Sequence, residues 1–178
     1  MACGTMALAS CAQSSTIQAG QTGQSGDSAV VYMTKEISPE ALVKIYKALG
    51  REAKGKVAVK ISTGEPGGHN FLQPSLIADL VKLTDGTIVE CNTAYAGRRN
   101  TTEAHRKAVE EHGFTAIAPV DIMDAEGEIK LPVKDGKHLK YDIVGSHFPD
   151  YNFTLFCLTS KAMQWVVSEV RLKTCRSA

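Results

Sequence analysis

The sequence predicts an α/β fold with a mainly parallel sheet, helices on both faces and an inserted β-hairpin. Three observations carry that prediction. Short apolar runs alternate with helix-length amphipathic stretches, as right-handed βαβ units require. The runs Val57–Ile61 and Thr87–Cys91 each end in a polar, glycine-bearing segment followed by a helix signal. From Asp121 to Gly145 the pattern changes to period-two alternation on either side of Asp135-Gly136, which signals a hairpin.

At the N-terminus, Leu8-Ala9-Ser10-Cys11 has the small-residue spacing of a bacterial lipoprotein signal-peptide cleavage site, with Cys11 as the acceptor. Ala12 to Ser28 is a Gln/Ser/Gly/Thr tract with too few apolar residues to offset the entropy of ordering, so residues 1–28 are predicted to be a lipoprotein-like start and a flexible tether. A lipid on Cys11 would hold the folded part outside the cytoplasmic membrane. Met1 to Ala9 carries no Lys or Arg and is too short for a full apolar region. A cytoplasmic protein with an ordinary frayed end is the alternative.

The α/β domain is predicted over residues 29–156. Ala29–Met33 reads as its first strand. Ser38 is placed to cap a helix with Pro39 at the first helical position, and Ala41, Leu42, Ile45, Tyr46 and Leu49 recur at helical spacing before Gly50. Val57, Val59 and Ile61 alternate with Ala58 and Lys60, giving a strand. Gln73-Pro74 opens a second helix whose buried stripe is Leu76, Ile77, Leu80, Val81 and Leu83. Thr87–Cys91 is the next strand. Asn100, with Glu103 three residues on, predicts the cap of a third helix closed by Gly113. Phe114–Val120 returns to a strand. Ile129, Leu131 and Val133 then alternate toward a two-residue turn at Asp135-Gly136, and Leu139, Tyr141 and Ile143 alternate on the way back. Phe153–Leu158 is the last predicted core strand.

Composition narrows the function. The chain has 178 residues, 43% hydrophobic and 22% charged, which suits one folded domain. Twenty basic residues against nineteen acidic ones provide no basic stripe beyond Arg98-Arg99, and the sparse aromatics do not interleave with cations, so nucleic acid is not an expected partner. Five cysteines form no CxxC or Cys/His cluster, so no zinc or iron–sulphur frame is visible in this chain. Serine-hydrolase elbows, Cys/His nucleophile pairs and nucleotide fingerprints are also lacking.

The candidate site lies in the two polar segments, because loops after parallel strands meet at one edge of the sheet, where ligands bind. Gly64, Gly67 and Gly68 could bring backbone N–H groups to an anion, or merely form a turn around Pro66. Glu65 and His69 could bind a metal or share a proton, or be ordinary surface groups. Glu90 ends an otherwise apolar strand, where an unpaired carboxylate is costly, so a partner is predicted among Lys60, Arg98 and Arg99. Asn92, Thr93 and Tyr95 can orient a ligand or form turn chemistry. Arg98 and Arg99 suit a carboxylate or phosphate, with one of the two facing the site. His105 is predicted to be a satisfied core histidine, His112 and His138 surface residues, and Asp121 and Asp124 part of a solvated turn.

The residues Val59–Glu65, Gly67–Asn70, Glu90–Tyr95, Arg99–His105 and Asp142–Gly145 together resemble the bacterial and archaeal domain of unknown function 362 family. Members of that family often occur with iron–sulphur ferredoxin modules. The family has no settled activity to carry over. Its ferredoxin association, together with the converging strand-end loops, leads to the expectation of a metal- or iron–sulphur-linked redox function around Glu65, His69, Glu90 and Asn92 and of a ferredoxin-type partner, with a metal ion or iron–sulphur centre in full-length relatives. A lipid-anchored protein that binds a small anionic ligand is the competing expectation, and an inactive truncated product is the third. The close resemblance stops at Cys157. Codons able to encode Phe156–Val170, read in a displaced frame, can spell Leu-Ser-His-Phe-Lys-Gly-His-Ala-Met-Gly-Gly-Phe-Gly-Gly, which looks like the family's own continuation. Residues 157–178 are therefore expected to be a shifted-frame tail on a truncated chain.

Overall fold

The computed structural model describes residues 29–159 together with the short strand Gln18–Ala19. The Cys11 anchor, the rest of the tether and the tail beyond residue 159 lie outside the described residues. Strand β1 (Gln18–Ala19) pairs antiparallel with β2 (Tyr32–Met33). The predicted strand Ala29–Met33 is thus reduced to two residues and stands apart from the main sheet. Val30, Val31 and Met33 are all more than half exposed, because both neighbours of the central strand are supplied by other parts of the chain.

Helix α1 (Pro39–Ala48) starts where its cap predicts: the Ser38 hydroxyl accepts the Ala41 N–H at 3.1 Å. Strand β3 (Val57–Lys60), helix α2 (Pro74–Leu83), strand β4 (Gly86–Glu90), helix α3 (Thr102–Glu111) and strand β5 (Val120–Ile122) follow as two βαβ units. An antiparallel hairpin of β6 (Glu128–Pro132) and β7 (Tyr141–Gly145) precedes β8 (Phe153–Phe156). The main sheet is parallel throughout, with the order β5-β4-β3-β8.

That order decides what covers each face. Stepping from β3 to β4 to β5 in one direction carries α2 and α3 over the same face, and the return to β8 sends the intervening chain over the other. The first face holds the main core: Val57, Val59, Ile61 and Ile88 with Tyr46 of α1, Ile77, Leu80 and Val81 of α2, Val109 of α3, and Phe114. On the second face Ala58, Val89 and Met123 cluster with Cys91 and Tyr151. Among the described residues this second face is covered by chain from β5 onward rather than by a helix. Among the described residues, no helix is long and apolar enough to cross a membrane.

Four local expectations are corrected. The cap of α3 is Thr101, whose hydroxyl faces the Ala104 N–H, rather than Asn100; the hydroxyl one residue later takes the role and puts Glu103 inside the first turn. Phe114–Ala116 is a single 3-10 turn, not a strand, because Phe114 must turn fully into the core; the strand starts only at Val120. Leu83 is half exposed and leaves the buried stripe of α2. The hairpin connection spans residues 133–140 rather than two residues, with the Asp135-Gly136 turn closed inside it by Gly136 N–H to the Val133 carbonyl at 3.3 Å. The pairing of Ile129 with Val144 and Leu131 with Asp142 then puts Tyr141 and Ile143 on the opposite, exposed face.

Candidate functional site at the ends of β3 and β4

Parallel pairing of Lys60 with Val89 brings the chain after β3 beside the last residue of β4. Glu90, only 5% exposed, is the centre of what results. Its Oε1 accepts the Thr63 N–H at 2.6 Å, the Thr63 hydroxyl at 2.8 Å and Arg99 Nη1 at 3.3 Å. Its Oε2 accepts Lys60 Nζ at 3.2 Å. The predicted partner is therefore two of the three cations named from sequence, Lys60 and Arg99, while Arg98 is exposed. Burial alone would push the Glu90 carboxyl up. The His105 imidazole, the Lys60 ammonium and the Thr63 amide and hydroxyl outweigh it and hold the pKa at about 2.

Arg99 joins this buried carboxylate to an outer one. Its Nε and Nη2 both donate to Glu65 Oε1, at 3.0 and 2.7 Å, and the Tyr95 hydroxyl donates to the same oxygen at 3.2 Å. The Arg99 side chain is 7% exposed and that of Glu65 47%, so the carboxylate sits as a plug over the guanidinium. The Arg99 hydrogen bond draws the Glu65 pKa below its ordinary value. Burial opposes the Arg99 charge, but the Glu65 hydrogen bond and the Glu90 charge raise its pKa.

The loop that carries Glu65 is pinned from both sides. Glu65-Pro66-Gly67-Gly68 closes as a turn in which Gly68 N–H donates to the Glu65 carbonyl at 2.9 Å and Gly67 has φ +76°, the type II pattern. The Gly68 N–H is thus committed to the turn and is not offered to an anion, which corrects that part of the backbone-loop expectation. At Gly64, φ is +84° and a Cβ would lie 2.7 Å from that of Phe71, so only glycine lets the chain pass there. Phe71 stacks on His112 with centroids 4.2 Å apart, and His112 Nδ1 stands 2.7 Å from the Thr63 carbonyl. His112 is a half-buried clamp on this loop rather than a surface residue.

The remaining predicted residues divide. Asn92 is structural: its N–H donates to Asp124, its Nδ2 to the Thr102 hydroxyl, and its Oδ1 lies 3.3 Å from His105 Nδ1. The Thr93 N–H donates to the Arg99 carbonyl at 3.0 Å and closes the second loop. His69 is exposed on the far arm of the turn. His105 is fully buried as predicted, yet its Nε2 has no hydrogen-bond partner and points toward Glu90 Oε1 at 3.8 Å, so it is not fully satisfied. Among the described residues no three His, Cys, Asp or Glu side chains stand together as a metal-binding group.

Sequence reasoning missed a second polar cluster on the other face. Asp121 accepts from His147 Nδ1 at 2.9 Å and from the Tyr151 hydroxyl at 2.8 Å, and Glu126 lies 3.5 Å from His147 Nε2. The Asp121 hydrogen bond raises the His147 pKa. Burial first, and Asp121 second, raise that of Tyr151. Asp121 and Asp124 are therefore bonded groups, not a solvated turn. Burial also pushes the Cys157 thiol up to about 11 and raises that of Cys91, where the Asp124 charge adds to it.

A family model described as Domain of unknown function (DUF362) matches residues 57–165, more than half of the chain. The chain belongs to the DUF362 family. The DUF362 match opens at the first residue of β3 and contains every member of the Lys60–Glu90–Arg99–Glu65 network. It includes residues 157–165 of the stretch expected to be a shifted-frame tail and ends before residue 166. Neither the curated proteins nor the solved structures contain a match to this chain.

Proposed function

We propose that this DUF362 protein captures a small anionic ligand at the C-terminal ends of β3 and β4. Arg99 and Tyr95 are the donors, and Glu65 is the resident carboxylate that the ligand displaces. One observation carries this reading: a half-exposed carboxylate sits on an almost buried guanidinium, with three donors converging on a single oxygen. Convergent, pre-placed donors of this kind recognise carboxylate or phosphate. Glu65 is fit to leave because its side chain is half exposed and its loop turns at Gly67. Attachment to a membrane through lipid on Cys11, outside the cytoplasm, belongs to the same proposal and rests on the Leu8–Cys11 spacing.

The metal- or iron–sulphur-linked redox reading, with its ferredoxin-type partner, draws on the family resemblance. The geometry favours the anion reading over it, because Glu65 and Glu90 are both already paired with cations. The test is a thermal-shift screen of the wild-type protein and Glu65→Gln against acetate, phosphate and sulfate. Ligand binding raises the melting temperature by mass action. The expected result is a larger rise in Glu65→Gln, whose neutral amide competes less well for Arg99. No rise with any anion in either protein would overturn the proposal.

A further inference from the structure

We infer that the ligand taken by Arg99 is a planar monocarboxylate, and that the buried charge of Glu90 is what excludes dianions such as sulfate and phosphate. This inference rests on the anion-capture reading above and adds the substrate class to it. Shape is the first argument. The edge of Arg99 turned outward presents Nε and Nη2, a fork that suits the oxygens of a carboxylate or a phosphate, and the group it now holds, through the single oxygen Oε1, is a carboxylate. The Tyr95 hydroxyl adds a third donor at the same place.

Charge is the second argument. The ionised groups in direct contact are Lys60, Arg99, Glu90 and Glu65. When Glu65 swings out, two cations face one buried carboxylate, and a single positive charge is left for the ligand. A monoanion restores the balance that Glu65 provided. A dianion would leave an excess negative charge across one guanidinium from Glu90, which binds Nη1 of the same Arg99 and cannot turn to water. Lys60 offers little relief, since its Nζ is held by Glu90 and by the Ile61 carbonyl at 2.7 Å.

Room is the third. A Cβ built at Gly97 would stand 3.9 Å from Glu65 Oε2, an ordinary contact, so the chain does not crowd this side of the carboxylate. The Glu65 side chain is half exposed, so a carboxylate in its place can carry a substituent toward solvent.

The experiment uses Glu65→Gln, in which the place on Arg99 is opened, and compares acetate with sulfate by NMR titration at matched ionic strength and about pH 8, above the ordinary histidine range. The expected result is acetate binding about tenfold or more tighter than sulfate. Adding Glu90→Gln should narrow that ratio, because the buried negative charge is gone; should the double variant not fold, the ratio in Glu65→Gln still decides. Sulfate binding as tightly as acetate would overturn the monocarboxylate inference while leaving anion capture standing. Binding of neither anion would overturn both.

Discussion

Replacing Glu90 with Gln tests the network at its centre. The amide oxygen can keep the Thr63 and Arg99 contacts, but the amide NH2 then faces the Lys60 ammonium, donor against donor, and both cations lose their buried counter-charge. Two routes give the magnitude. Holding the carboxyl at about 2, against an ordinary value of 4.5, corresponds to about 3 kcal/mol of stabilisation of the charged form. Breaking a buried pair by removing one partner costs about 3–5 kcal/mol. Urea unfolding near neutral pH is therefore expected to show Glu90→Gln less stable by about 3–5 kcal/mol. The pH dependence supplies a second reading. The folded pKa lies below the unfolded one, so the contribution is present above about pH 4.5 and is lost as pH falls through about 2, with less than half remaining near pH 3. The gap between wild type and variant should shrink accordingly. A cost below about 1 kcal/mol, or a gap unchanged between neutral pH and about pH 3, would refute the buried-network account.

Three further outcomes follow from other parts of the fold. His147 should titrate above the ordinary histidine value in an NMR experiment, with Asp121→Asn bringing the midpoint down; because the folded pKa is raised, its contribution to stability is present at low pH and fades as pH rises through that midpoint. An unchanged midpoint in Asp121→Asn would remove the Asp121–His147 bond from the account. Gly67→Ala, in open space at positive φ, should cost about 1 kcal/mol, and Gly64→Ala more than about 2 kcal/mol because it also meets Phe71; equal costs in denaturant unfolding would contradict the loop geometry. Phe114→Ala should cost about 3–5 kcal/mol, since Phe114 is fully buried between the sheet and α3; a loss under about 1 kcal/mol would place it outside the core.

The parallel core was legible because its signals are local. Val57, Val59 and Ile61 alternate, Ser38-Pro39 and Gln73-Pro74 announce helix starts, and βαβ order restricts the sheet. Glu90 was legible for a physical reason: a carboxylate ending an apolar strand demands a cation, and few were near in sequence. Contacts made by the return of the chain to β8 were not legible. Asp121 meets His147 and Tyr151 across 26 and 30 residues, and those distances are set by topology rather than by any motif. The roles of His112 and Asn92 escaped for the same reason, since His112 meets the loop after β3 and the Asn92 N–H meets Asp124 beyond β5. At the hairpin the alternation was real, but the register turned Tyr141 and Ile143 outward, a choice that period two alone leaves open.

The most direct measurement of the central claim is a crystal structure of the protein grown with acetate. The account predicts a carboxylate on Nε and Nη2 of Arg99 within reach of the Tyr95 hydroxyl, Glu65 rotated into solvent, and Glu90 unmoved on Lys60, Thr63 and Arg99. Glu65 still seated on Arg99 in crystals saturated with acetate would contradict it.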